Sequence, residues 1–124
     1  MRRVLNMQSH YTKYTNMLIA SVLDSPGETS ADLRHRVETR AARLGGRAPQ
    51  EIEPVPEHLA DYVKKVALYA YRVTDEDVEA LRAIGYSEDA IFELTVSIAL
   101  GAGLARLERG LAALKGVEDA TQNT

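Results

Sequence analysis

Residues 94–105, LTVSIALGAGLA, carry no charged side chain and lie inside a longer segment that reads as helix throughout. A helix with apolar or small residues on every face must be covered on every face, by its own chain or by another. Ala99, Gly101, Ala102, Gly103 and Ala105 thin the helix surface so that a second backbone can come close. Gly101 and Gly103 each cost about 1 kcal/mol against alanine in a helix interior, which close packing is expected to offset. A chain of 124 residues buries only about two-thirds of its unfolded surface, too little to surround this segment alone. A core shared between copies, and so a homo-oligomer, is the expectation.

The ends of this helix, and of the one before it, are marked by local chemistry. Ser87 is a natural N-cap, followed by Glu88 and Asp89 where acidic groups meet the positive end of the helix dipole. Upstream, Thr74 and Asp77 have the spacing of a capping box, and Val78, Leu81 and Ile84 follow before Gly85 closes a short helix. Residues 73–115 thus form a helical hairpin, a short helix and a tight turn leading into a long helix that ends near Lys115. The polar tail 116–124 is expected to be disordered.

Upstream segments read as helices that cover this hairpin. Val4, Met7, Tyr11, Tyr14, Leu18 and Val22 recur in steps of three and four, and Ser25-Pro26-Gly27 ends the pattern. Thr29 or Ser30 can cap the next helix, whose stripe is Leu33, Val37, Ala41 and Leu44 and whose stop is Gly45-Gly46. Prolines 49, 54 and 56 mark an extended linker, and Pro56 suits the start of a third helix. Its stripe is Leu59, Tyr62, Val63, Val66, Ala70 and Val73, with Tyr69 and Tyr71 beside it. The prediction is an all-α helical bundle of about five helices. It forms a single domain over 1–115, with N-terminal helices in 4–46, a linker at 47–56 and core helices in 57–115.

Composition excludes several chemistries. There is no cysteine, hence no disulfide, thiolate metal site or thiol redox mechanism. The three histidines, at 10, 35 and 58, have no metal-ligand spacing, so neither metal nor cofactor is expected. A net charge of -3 and a pI near 5.6 give no overall attraction to nucleic acid or anionic membrane. The short helix and turn from Thr74 onward match a helix-turn-helix only superficially. Asp75, Glu76, Asp77, Glu79, Glu88, Asp89 and Glu93 would face phosphates with Arg82 alone in support. The apolar run 98–105 is far shorter than the ~20 residues that span a bilayer, so no membrane partner is expected. Met1-Arg2-Arg3 is followed by Asn6, Gln8, Ser9 and His10 rather than an apolar signal core, and a cytoplasmic location is expected. Arg34, Arg36, Arg40, Arg43 and Arg47 crowd residues 34–47. They offer an anion site or a docking face for a protein partner, although such clusters are commonly just a solvated face.

The runs VTDEDVEALRAIGYSEDAIFE (73–93) and ALGAGLARLERGL (99–111) resemble the C-terminal helical hairpin of the alkylhydroperoxidase-D-like, or carboxymuconolactone decarboxylase-like, superfamily. In that family an aspartate-rich cap and a Gly-aromatic-Ser/Asp turn lead into a long helix ending in an Asn-Arg-containing stretch. Arg106 matches that arginine, while Ala102 and Ala105 stand where asparagines are often found. The resemblance runs from about Leu59 to Leu114. Its peroxidase members use a Cys-x-x-Cys pair, a histidine and a relay glutamate. With the final helix aligned to the cysteine-bearing helix, Glu93 approximates the glutamate, Ala105 and Glu108 replace the cysteines, and Ala112 replaces the histidine. The resemblance therefore implies an all-helical, oligomer-forming fold without the thiol chemistry.

Two functions follow. One is a non-catalytic oligomeric or partner-binding protein. The other is a cofactor-independent decarboxylase or isomerase using carboxylate, histidine or tyrosine acid–base chemistry, with Glu93, His58, Tyr62 and Tyr69 as candidate catalytic residues. Glu93 is the sharpest of these because it begins the uncharged run. A surface glutamate paired with Arg82 or Lys64 is its ordinary alternative.

Overall fold

The computed structural model describes residues 2–51 and 54–122, and among them helices are the only regular elements. They are α1 (Arg2–Ile19), α2 (Ala31–Leu44), α3 (Glu57–Tyr69), α4 (Asp75–Ile84) and α5 (Glu88–Gln122). A wide helical turn, Ala20–Asp24, continues α1, and a tight turn, Ala70–Arg72, follows α3. The all-α bundle expected from the sequence is the fold.

α5 is the axis. At 35 residues it is about 52 Å long, and α2, α3 and α1 all pack along it, α2 most extensively. The core joins Val37 and Ala41 of α2, Leu59, Tyr62, Val63 and Ala67 of α3, and Leu81 of α4 to Ile91, Leu94, Ile98 and Ala102 of α5. Gly101 is where α2 comes closest: a Cβ there would run into the Glu38 carbonyl and lie 3.2 Å from the Ala42 amide nitrogen. The close packing expected of this glycine is made within the chain. Gly103 is different, since a Cβ there would meet nothing within 4 Å.

The helix ends follow the capping chemistry. The Ser30 hydroxyl accepts from the Leu33 amide at 3.1 Å, and the Ser87 hydroxyl from the Ala90 amide at 3.1 Å. The Asp77 carboxylate reaches back to the Thr74 amide at 2.8 Å and takes Lys65 Nζ at 2.8 Å from α3. The Lys65 bond, then the Thr74 amide, hold this carboxyl below its ordinary value. Gly46 and Gly85 adopt φ of 114° and 120°, which L residues rarely tolerate, and so turn the chain out of α2 and α4.

The structure bears on four expectations and corrects the first and the third. The final helix does not stop near Lys115 but continues to Gln122, and Thr121 Oγ1 donates back to the Val117 carbonyl at 3.0 Å. A single glycine at 116 costs only about 1 kcal/mol and does not end a helix between good helix formers. The expected disordered tail 116–124 is therefore helical as far as it is described, and 123–124 lie outside the described residues. Secondly, this single chain covers Leu94, Ile98, Gly101, Ala102 and Ala105 of the uncharged segment and leaves Ala99 and Gly103 exposed. Thirdly, Tyr14 and Leu18 of the α1 stripe are exposed; Val4, Met7 and Tyr11 lie outside the described side chains. Lastly, α5 is long and apolar enough to cross a membrane by length and composition, although residues 98–105 alone are not. Half of its most apolar window is buried inside the bundle, as suits a central helix.

Candidate functional site

Glu93 sits one turn into α5, facing the loop between α1 and α2. Its Oε2 accepts from the Glu28 amide at 2.8 Å, and its Oε1 accepts from the Thr29 amide at 2.9 Å and the Thr29 hydroxyl at 2.6 Å. Gly27 makes room for this: a Cβ there would stand 2.7 Å from both carboxylate oxygens. Arg34, only 4% exposed, holds the same loop from its other side. It donates to the carbonyls of Val22 at 2.8 Å, Ser25 at 2.5 Å and Thr29 at 3.3 Å. A carboxylate thus takes the loop's amides and a guanidinium its carbonyls. Neither Arg82 nor Lys64 is Glu93's partner.

Burial pushes the Glu93 carboxyl up. The Thr29 hydroxyl, the Glu28 and Thr29 amides and the Arg34 charge together outweigh that and leave it below its ordinary 4.5. A carboxylate has about four acceptor positions, and three are filled here from the chain itself. A general acid–base group needs a pKa near the working pH and access to a substrate proton. Glu93 is arranged for the opposite.

The other candidates lie elsewhere. Tyr62 is buried in the core, its hydroxyl 2.7 Å from Thr95 Oγ1. Thr95 donates to the Ile91 carbonyl at 2.6 Å, so the tyrosine is the donor in that pair. His58, one helical turn earlier, places Nε2 2.7 Å from the Tyr86 hydroxyl on the surface. Burial raises the Tyr86 phenol above its ordinary value. Tyr69, 40% exposed, carries the Arg72 guanidinium 5.3 Å from its ring centroid. Glu93, His58, Tyr62 and Tyr69 share no hydrogen bond with one another among the described residues. Arg106, the residue of the family resemblance, donates to the Ala67 carbonyl at 2.7 Å and satisfies the end of α3.

The arginine-rich segment also resolves into distinct roles, and Arg34 is not the surface residue that a solvated face implies. Arg36 pairs with Asp32 at 2.7 Å, and Arg47 bridges Glu38 at 3.1 Å and Glu108 at 3.0 Å. Arg40 and Arg43 line a cleft of about 280 Å³ between α2, the linker and α3, with Thr39, Gln50, Pro54, Val55 and Ala60. None of the four candidate catalytic residues lines it.

The feature missed in the sequence lies on the outer side of α5. Phe92, Ala99, Gly103, Leu107, Gly110, Leu114 and Val117 recur in steps of three, four and seven and are all exposed. Their exposure is substantial: 68% for Phe92, 46% for Leu107, 48% for Leu114 and 66% for Val117. Reading the outward period of the helix as well as the inward one would have found this second stripe, because each has the 3.6-residue repeat. Among the described residues no group of histidine and carboxylate side chains is arranged to hold a metal. No protein-family model, curated protein or solved structure matches the chain.

Proposed function

We propose that this chain is a non-catalytic, self-associating helical protein whose outer α5 stripe packs against a second copy. The observation that carries the reading is the exposed row from Phe92 to Val117, about 38 Å long at 1.5 Å per residue. Phe92, Leu107, Leu114 and Val117 are 46–68% exposed, so burying each would gain about 1 kcal/mol, roughly 8 kcal/mol gross for a symmetric pair. Association costs about 4–15 kcal/mol, so these residues alone give a weak pair. Tyr14, Met17 and Leu18 of α1, which lies against α5, are exposed as well and would enlarge the interface. Ala99, Gly103 and Gly110 leave room between them for another helix to approach closely. The same proposal places the chain as a cysteine-less relative of the alkylhydroperoxidase-D-like proteins. The capped α4, the Gly85-Tyr86-Ser87 turn and Arg106 on the long helix support that placement. Engagement of Glu93 by its own chain favours this reading over acid–base catalysis.

The absence of native cysteine permits a direct test by single-cysteine crosslinking. Gly103→Cys, near the middle of the stripe, should form an intermolecular disulfide rapidly under mild oxidation, because a disulfide needs Cα atoms within about 7 Å. Ala112→Cys, exposed on another face of α5, should not. Equal crosslinking at both positions, or none at Gly103→Cys, would remove the stripe as an interface.

A further inference from the structure

We propose that the cleft between α2, the linker and α3 binds a small phosphate monoester with an apolar body. The arginines of residues 34–47 divide by whether the chain itself satisfies them. Arg34 is bound by backbone carbonyls, Arg36 by Asp32, and Arg47 by Glu38 and Glu108. Arg40 and Arg43 have no acidic partner among the described residues, in a chain with 18 acidic and 15 basic residues. These are the two that line the cleft. They stand three residues apart on α2, so their guanidinium groups leave the same side of the helix.

The other walls are those of a site for a mixed ligand. Thr39 and Gln50 add hydroxyl and amide groups beside the arginines, and Pro54, Val55 and Ala60 add apolar surface. Glu38 accepts weakly from the Thr39 hydroxyl at 3.4 Å but is already neutralised by Arg47, while Glu51 and Asp61, next in sequence to Gln50 and Ala60, are exposed and pair with neither Arg40 nor Arg43. Two unit charges without an acidic partner among the described residues match a group carrying about -1.5 to -2 at neutral pH, as a phosphate monoester does, better than a singly charged carboxylate. The volume, about 280 Å³, lies at the lower edge of the roughly 300–1,000 Å³ of small-molecule sites. It suits a ligand of about one ring rather than a nucleotide or a polymer.

Phenyl phosphate, benzoate and inorganic phosphate are the probes, titrated into the full-length protein by calorimetry at low ionic strength. Phenyl phosphate should bind with a dissociation constant below about 1 mM, at least tenfold more tightly than either benzoate or inorganic phosphate. Because Arg40 and Arg43 are exposed and have no acidic partner among the described residues, Arg40→Gln combined with Arg43→Gln should leave thermal melting unchanged and weaken phenyl phosphate by about 50-fold or more. Raising the salt to 0.5 M should weaken wild-type binding several-fold. Three results would overturn the proposal. They are no heat of binding for phenyl phosphate at millimolar concentration, equal affinity in the double variant, or equal affinity for inorganic phosphate, which would deny the apolar wall a role. None of these readouts depends on whether α5 self-associates.

Discussion

Gly101 and Gly103 are separated by one residue on the same helix, and replacing each by alanine should move stability in opposite directions. At Gly101 the new methyl would collide with the Glu38 carbonyl and stand 3.2 Å from the Ala42 amide nitrogen, backbone atoms that cannot rotate aside. Overpacking of this kind costs about 1–3 kcal/mol. Relieving it moves α2 away from α5 and loosens Val37, Ala41, Leu94 and Ile98, all fully buried. Because the obstacles are all backbone atoms, the cost lies at the upper end of that range, and the gain of about 1 kcal/mol from alanine's helix propensity leaves about 2 kcal/mol of net destabilisation. For a domain of this size that lowers the melting temperature by about 8 °C. At Gly103 a Cβ meets nothing within 4 Å, so only the propensity gain remains, about 0.5–1 kcal/mol, raising melting by about 2–4 °C. Circular dichroism melts at low micromolar protein, where a weak pair is dissociated, give both values. At higher concentration Gly103→Ala should also weaken self-association, because the added methyl holds two α5 helices apart. Gly101→Ala melting at or above the wild type would refute the close approach of α2 and α5.

Other perturbations test the remaining contacts. Glu93→Ala strands the Glu28 and Thr29 donors and should cost about 2–3 kcal/mol at neutral pH, read by urea unfolding. Its acid linkage has a definite sign. The folded pKa lies below the ordinary 4.5, so the stabilisation is fully present above pH 4.5 and is lost as pH falls through the folded value. The gap between wild type and Glu93→Gln should therefore narrow below pH 4.5, and a constant gap from pH 7 to 3 would contradict the carboxylate clamp. Arg47→Met leaves Glu38, with its side chain 8% exposed, without its cation and should cost about 2–4 kcal/mol. Tyr62→Phe removes one hydrogen bond whose acceptor, Thr95, still donates to Ile91; a loss of only about 1 kcal/mol is expected.

What could be read in advance and what could not divides by range along the chain. Ser30, Asp77 and Ser87 cap their helices as read, because a cap joins residues three apart and the chemistry is complete within one turn. The apolar stripes of α2 and α3 point inward for the same reason, being local periodicities, except that Ala70 falls in the turn after α3 and is exposed. Glu93 stands out locally as the carboxylate that begins the uncharged run, yet its partners stand 64 and 65 residues away in sequence, where no local pattern connects them. Arg34 looked like its neighbours until the loop at Val22, Ser25 and Thr29 folded over it. The uncharged run of α5 reads in the sequence as a single feature although it has two distinct faces. One face is filled by α2 and α3, and the other leaves Ala99 and Gly103 open, in line with Phe92, Leu107 and Leu114 on either side of the run. Sequence alone shows that both faces are apolar, but not which of them the chain can reach.

Sedimentation velocity on the wild-type chain from 1 to 200 µM asks most directly whether that open face is an interface. The 13.7 kDa chain should shift toward twice its mass across this range, and Leu107→Glu, on an exposed position of the stripe, should abolish the shift without lowering helical content. A wild-type chain that stays at the mass of one copy throughout would contradict self-association through α5.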